Sequence, residues 1–224
     1  MAVLLGLAAG ADRISVLVAE HTVAAKIRSS ERLESTPTVH IAGFPFLAQL
    51  IGQTLDEVDL TVRNFAAGSP GHVVQIARLA VQLRRVHLMR SYSAARAETA
   101  TATALISYPA LSGVLGVDLR YGGASTDGLG RVEAVTSTSI LGQPVSGTAS
   151  AEVRVSTANV LSFVNPRAVI EGASVPQVVV GALTAVFGNS IALGRLPFGL
   201  VLESVRATSA GVSVVLTGTN LTYG

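Results

Sequence analysis

The chain contains no cysteine, no tryptophan and few charged residues, and these shortages exclude several classes of protein. Without cysteine there can be no disulfide, no thiolate metal ligand and no cysteine nucleophile. Charged residues make up only 13% of the 224 residues, against about 25% in an average soluble domain. Hydrophobic residues make up 49%. This composition predicts an unusually large core, an internal apolar cavity, or a surface that contacts lipid.

Motifs for catalysis, metal binding and nucleotide binding are missing as well. The four histidines stand apart, and there is no HExxH motif, no GxSxG elbow and no P-loop. The glycine-rich segment 122–130 lacks the P-loop lysine and leads into a strand, so it predicts a hairpin loop. We therefore expect no catalytic residue, no metal site and no cofactor. The sequence leaves open a catalytic site whose polar side chains are distant in sequence and meet only in the fold. The candidates are Asp118, Asp127, Glu133, Glu152, His40 and His87.

The charges that are present are mostly arginines, and the net charge is only +2. Six arginines and no acid occur between positions 63 and 96. This run is either a basic stripe that faces phosphates or a solvated strand face. Only Phe65 and Tyr92 are aromatic in this stretch and no nucleic-acid-binding motif occurs, so we expect no nucleic-acid partner. Arg84, Arg85 and Arg90 are candidates for binding a phosphate head group.

The first residues form an apolar and small-residue run, AVLLGLAAGA at 2–11. The run is too short for a transmembrane helix, which needs about 20 residues. It matches the apolar end of an export signal, although no basic segment precedes it. We interpret residues 1–11 as the remnant of an export signal or membrane anchor and 12–224 as a single domain. The alternative is a buried first turn of the helix that follows.

Hydrophobic periodicity predicts a mixed α+β fold. A helix is expected over 12–32, with Ile14, Leu17, Val18, Ala24 and Ile27 as its apolar positions. A second helix is expected over 174–193, and a short helical turn over 47–54. Between the two helices lie about eight antiparallel strands, and the one at 73–88 has a bulge predicted at Arg84-Arg85. The sum is a strongly curved antiparallel sheet wrapped around a long helix, with helices near both ends of the chain.

Small side chains and two proline-phenylalanine segments suggest where a cavity could lie. Alanines alternate with threonines over 99–104, and bare methyl groups either pack closely against a helix or leave open volume. The segments HIAGFPFLAQ (40–49) and GRLPFGL (194–200) place aromatic rings beside a stiffening proline. Each candidate lining residue could equally belong to the core. The candidates are Phe44, Phe46, Leu47, Leu50 and Ile51 at one end, with Val179, Leu183 and Phe187 of the second helix and Phe163 and Phe198 nearby.

Several segments together resemble a known family. They are Asp12-Arg13, VHIAGFPFLAQL at 39–50, EVDLTV at 57–62, ISYPAL at 106–111 and LPFGLVLESVRATSAGVSVVLTG at 196–218. Over about residues 12–224 the chain resembles the actinobacterial envelope proteins related to lipomannan elongation factor A, the LmeA-like family. The resemblance implies a tubular lipid-binding (TULIP-like) fold and an exported phospholipid-binding protein of the periplasm or cell envelope, free or anchored to the plasma membrane. It also implies phosphatidylinositol-type lipids, a membrane surface as partner, and a role in lipoglycan assembly.

Three functions follow from these observations. A lipid-binding module predicts an apolar cavity with no titratable pair inside. An enzyme of envelope glycolipid metabolism predicts that at least two of the converging candidates meet in a cleft. A scaffold for a membrane glycosyltransferase predicts an exposed apolar patch without a cavity of ligand size. The composition and the resemblance favour the first.

Overall fold

The computed structural model describes residues 2–69, 72–89, 93–140, 143–157, 159–169, 177–194, 196 and 199–223. The helices are α1 (Ala2–Ser30), α2 (Phe46–Ile51), α3 (Tyr108–Leu115) and α4 (Gln177–Thr184), which a short 3₁₀ helix (Ala185–Gly188) extends. The strands are β1 (Thr38–Ala42), β2 (Thr54–Ser69), β3 (His72–Met89), β4 (Ala94–Ile106), β5 (Leu119–Tyr121), β6 (Arg131–Ile140), β7 (Gln143–Thr157), β8 (Val160–Val169), β9 (Ile191–Ala192), β10 (Val201–Thr208) and β11 (Gly211–Tyr223).

The strands form two antiparallel sheets. The first has the order β1-β2-β3-β4-β11-β10, and the second has the order β5-β6-β7-β8-β9. Helix α1 packs on the first sheet through β1, while α4 packs on β6, β7 and β8 of the second. The strands curl into a half-barrel. The predicted α+β, TULIP-like fold with a curved antiparallel sheet and a long N-terminal helix is confirmed.

Helix α1 is continuous across the position at which we expected an export segment to end. Its 29 residues run from Ala2 to Ser30, so the apolar run at 2–11 and the helix predicted from residue 12 onward form one helix. Within the described residues, no helix is both long enough and apolar enough to cross a bilayer. The division into 1–11 and 12–224 stays a prediction.

The inward face of α1 differs from the predicted one. Ala24 and Ile27 are buried as expected, but Ile14, Leu17 and Val18 are 55 to 66% exposed. Val16 and the carboxylate of Asp12 face inward instead. The reason is a tertiary contact: Asp12 accepts hydrogen bonds from the backbone N–H groups of α2, which fixes the rotation of α1 about its axis.

Two further predictions need correction. The second helix is shorter than 174–193 within the described residues, because Ile191–Ala192 pairs with β8 as a strand. The slip of alternation predicted at Arg84-Arg85 is present, since the buried positions of β3 change from Leu79 and Val81 to Val86, but it is not a bulge with a register shift. Arg85 has a φ of +47°, yet pairing with β4 keeps its register there, and the register shift lies between Ile76 and Arg78. The alternation in β4 is confirmed, since Ala100, Ala102 and Ala104 are all buried.

Gly130 lies where the two sheets meet, and we expect its replacement by alanine to be costly. It has a φ of +78°, and a Cβ there would lie 2.3 Å from the carbonyl oxygen of Ala207. That contact is tight because the Ala207 N–H donates to the Leu129 carbonyl at 2.7 Å. Gly130→Ala should lower the free energy of unfolding by about 2 kcal/mol or more, from strained backbone plus displacement of β10.

Gly128→Ala is the matched control for this prediction. Gly128 has a similar φ of +75°, but a Cβ there would meet nothing within 4 Å. Gly128→Ala should therefore lower the free energy of unfolding only by the backbone strain, about 1 kcal/mol. Urea unfolding of both variants measures the difference. Equal losses would show that the contact with Ala207 is unimportant.

Candidate functional site

An apolar cavity of about 160 Å³ lies between the second half of α1 and the inner face of the first sheet. Five neighbouring strands of that sheet contribute to its wall, from β1 across to β11. The cavity is lined by Val23, Lys26, Ile27, Ile41, Leu55, Val58, Leu60, Leu83, Val86, Leu88, Ser93, Ala94, Ala95 and Tyr223.

The wall of this cavity follows from the alternation of the strands. Val58 and Leu60 of β2 point inward on the same face, and their neighbours on β3 and β4 do the same. On β4 the inward residues are alanines, so the space next to α1 is left partly unfilled. An apolar space of this size can admit an apolar ligand.

Polar groups occur only at the edges of the cavity lining. The Lys26 ammonium group donates a hydrogen bond to the Ser93 carbonyl oxygen at 2.6 Å and is exposed to solvent. The Tyr223 hydroxyl is hydrogen-bonded to Ser30 of α1. Burial, and to a smaller extent the nearby Glu31 carboxylate, raise the pKa of Tyr223, so its hydroxyl stays neutral at physiological pH. One exposed cation beside an apolar space suits an acyl chain attached to an anionic head group.

The residues predicted around the first proline-phenylalanine segment lie on and beside α2. Phe46 is buried in the core and Leu50 is half-buried against it, whereas Phe44, Leu47 and Ile51 are exposed. None of the five is among the residues that line the cavity. Their role in lining a lipid groove stays a prediction.

The second predicted group lies on the other sheet. Leu183 and Phe187 are buried, and the Phe187 ring lies 5.3 Å from the ring of half-buried Phe163. Val179 belongs to α4, but its side chain lies outside the described part of the chain, as does the whole of Phe198. The structure therefore divides the predicted lining between two sheets, because α2 packs beside α1 and β2 while α4 packs on the second sheet.

The candidate head-group arginines are engaged with acids of the neighbouring strands. Arg84 is 3.1 Å from Glu57 of β2, and Arg85 pairs with Glu98 of β4. Hydrogen bonds from His87 and then Arg85 lower the pKa of Glu98. Arg90 lies outside the described residues. Phosphate binding by these arginines stays a prediction, and it would have to compete with these carboxylates.

Two residues with structural roles, one outside the cavity and one beside it, were not among the predicted site residues. Asp12 holds α2 in place, and Lys26 stands beside the cavity. The sequence does contain a signal for each. Asp12 is a lone acid that ends an apolar run, and Lys26 is the single lysine of a chain that otherwise uses arginine.

Two of the carboxylates proposed for an enzyme, Asp127 and Glu152, meet through a shared arginine. Arg154 contacts both Asp127 and Glu152. Hydrogen bonds lower the pKa of both acids, chiefly from Ser125 for Asp127 and from Asn165 for Glu152. Both are therefore ionised near neutral pH, whereas a general acid must keep its proton. Among the described residues, no cluster of three or more histidine or acidic side chains could hold a metal ion.

A half-barrel of antiparallel strands with a long helix and an apolar cavity beneath it defines a TULIP-like lipid-binding fold. The chain belongs to the LmeA-like phospholipid-binding family, whose model matches residues 10–217. This confirms the predicted family over nearly the whole chain. Neither curated proteins nor solved structures give a significant match.

Proposed function

We propose that this protein binds a phospholipid by inserting an acyl chain into the cavity between α1 and the first sheet. The observation that carries the proposal is the cavity itself, with an almost entirely apolar lining and Lys26 at its edge. Each methylene that leaves water gains about 0.8 kcal/mol, so a short stretch of chain gives useful affinity without many hydrogen bonds. Lys26 would exchange the Ser93 carbonyl for the lipid phosphate.

We further propose that the protein acts in the cell envelope after export, and that it carries or presents lipid during lipoglycan assembly without catalysing a reaction. The similarity to envelope proteins and the apolar run at 2–11 support this location. Phosphatidylinositol-type lipids, which the family resemblance implies, are the first ligands to test. The family match to phospholipid-binding proteins supports a non-catalytic role.

Filling the cavity tests the proposal. Ala95→Phe places a ring at a half-buried lining position of β4. We expect phospholipid that co-purifies with the protein, or that is taken up from phosphatidylinositol-containing vesicles, to fall at least about tenfold, because the ring occupies the space of several methylenes. Native mass spectrometry followed by lipid extraction measures the bound fraction.

Ala80→Phe is the matched control. Ala80 is a half-buried alanine of β3, but it lines a shallow surface cleft with Thr61 and Thr103, on the face opposite that of buried Leu79 and Val81. This variant should keep its lipid. If Ala95→Phe retains lipid as well as Ala80→Phe does, the lipid lies elsewhere, and the groups around α2 or α4 become the next candidates. If the wild-type protein takes up no lipid, the scaffold function is favoured.

A further inference from the structure

The exposed large apolar side chains are concentrated near the N-terminal half of the protein. Among the described residues there are twelve, and seven of them lie between positions 14 and 51. Six of the seven form what we call the docking face, and their exposed fractions range from 37 to 81%. The docking face consists of Ile14, Leu17 and Val18 of α1 and Phe44, Leu47 and Ile51 on or beside α2.

Hydrogen bonds and a cation–π contact join the two halves of the docking face. The Asp12 carboxylate accepts hydrogen bonds from the N–H groups of Phe46 (3.1 Å) and Leu47 (2.8 Å). The Arg13 guanidinium lies 5.7 Å from the centre of the Phe44 ring. Arg13 is also one helical turn from Leu17. The two sets of apolar side chains are therefore held side by side on one part of the surface.

The exposed charges on the α1 side of the docking face are basic. In the described helix residues 9–26 there are two acids, Asp12 and Glu20, and both point inward. Asp12 bonds to α2, and Glu20 accepts hydrogen bonds from the Ile41 N–H and His40. The exposed charges of this helix segment are Arg13 and Lys26.

The α2 side of the docking face carries no charge of its own. Residues 43–53 contain no charged side chain. The first exposed acid after α2 is Asp56 in β2. The face therefore presents apolar side chains with basic neighbours on its α1 side, while Asp56 lies beyond the end of α2.

We propose that the docking face binds the surface of an anionic lipid bilayer. Apolar and aromatic side chains that insert below the head groups, with arginine and lysine at head-group level, are typical of interfacial membrane binding. The first part of α1 is also apolar, since positions 2–11 hold only apolar and small residues. Val18 and Lys26 are eight residues apart, about 12 Å along the helix. Docking would bring the cavity close to the lipid it binds, and the inference rests on the proposed function in this respect.

The absence of cysteine allows a clean test with single labels. Ile51→Cys lies on the docking face and Val201→Cys is an exposed apolar site on β10. Each is labelled with an environment-sensitive fluorophore and mixed with vesicles of phosphatidylglycerol and phosphatidylcholine. We expect a blue shift and quenching by brominated acyl chains for the label at 51, and neither for the label at 201. Vesicles of phosphatidylcholine alone should bind more weakly.

A double variant tests how much the docking face contributes to the affinity of the protein for vesicles. Leu17→Ser with Ile51→Ser should reduce vesicle flotation at least about tenfold. The control Val135→Ser with Val201→Ser, two exposed apolar positions elsewhere, should leave it unchanged. All four side chains are exposed, so the variants should fold. Native mass spectrometry of the docking-face variant should still find bound lipid after detergent-mediated loading, which separates this inference from the proposed function.

Three results would overturn the inference. The first is equal flotation of the two double variants. The second is an unshifted label at position 51 in protein that is bound to vesicles. The third is concentration-dependent dimerisation in sedimentation velocity that Leu17→Ser with Ile51→Ser abolishes, with no vesicle binding, because the face would then serve a second copy of the chain.

Discussion

Arg131→Ala is expected to lower the free energy of unfolding by about 4 kcal/mol, the largest effect we predict for a single substitution. Arg131 is buried in the second sheet and lies 3.0 Å from Glu152, which is also buried. Its guanidinium group also donates to the carbonyl oxygens of Ser150 (3.0 Å) and Asn165 (2.7 Å). Alanine removes all of these donors at once and leaves acceptors in a site that water does not reach.

The control for this substitution is an ion pair of the same sheet that water does reach. Arg120 of β5 pairs with Glu133 of β6, and the Arg120 side chain is 64% exposed. Arg120→Ala should cost about 1 kcal/mol or less. Denaturant unfolding of both variants at neutral pH gives the comparison. Similar losses would mean that the Arg131 network contributes no more than a surface ion pair.

The pH dependence of stability gives a second readout of the same network. Hydrogen bonds from Asn165 first, then Arg154, and the charge of Arg131 lower the pKa of Glu152 in the folded protein. A carboxyl group whose pKa is lower in the folded state stabilises the fold above its unfolded pKa, and this stability is lost as the pH falls through the folded value. We expect Glu152→Gln to flatten the loss of stability below about pH 4.5, the ordinary range for glutamate. An unchanged profile would contradict the role given to this residue.

Asp12→Ala should be the next most damaging change, with an expected loss of about 3 kcal/mol in the free energy of unfolding. The N-cap residue of α2 is Pro45, which makes no side-chain capping bond. The Asp12 carboxylate of α1 caps α2 instead, because it accepts hydrogen bonds from the N–H groups of both Phe46 and Leu47. Hydrogen bonds to a charged acceptor contribute about 1.5–3 kcal/mol each, and alanine would leave a buried N–H without a partner.

Two variants control for the Asp12 prediction. Asp12→Asn keeps an oxygen that can accept one of the two hydrogen bonds, so about half of the loss should be recovered. Asp56→Ala removes an exposed acid of β2 and should change stability by less than about 0.5 kcal/mol. Thermal and urea unfolding measure all three. A neutral Asp12→Ala would show that α2 is held by apolar packing of Phe46 alone.

Much of the fold could be predicted because its signals are local. The glycine-rich segment 122–130 joins the paired strands β5 and β6, as a hairpin loop predicts, and the helical turn predicted over 47–54 corresponds to α2. The alternating alanines of β4 identify its inner face in the same way. The resemblance of the proline-phenylalanine and C-terminal segments identified the family, which the match over residues 10–217 confirms.

The site was less accessible to prediction, because it is made by contacts between distant segments. The cavity wall combines residues of α1 with five strands, and its members are up to 200 positions apart, from Val23 to Tyr223. The arginine run has no acid within it in the sequence, yet Glu57 and Glu98 of the adjacent strands form ion pairs with Arg84 and Arg85 in the fold. A periodic pattern shows which face of a segment is apolar, but it does not show what that face meets.

The sequence by itself determined the class of fold, the family and the apolar character of the protein, since composition, alternation and short motifs are properties of the chain. Only the tertiary structure decided which apolar residues became core, cavity or surface. Helix α1 shows this most clearly: periodicity allowed more than one inward face, and the two hydrogen bonds from α2 to Asp12 selected one. That rotation turned Ile14, Leu17 and Val18 outward. Such a choice depends on long-range pairing energies, which no local pattern contains.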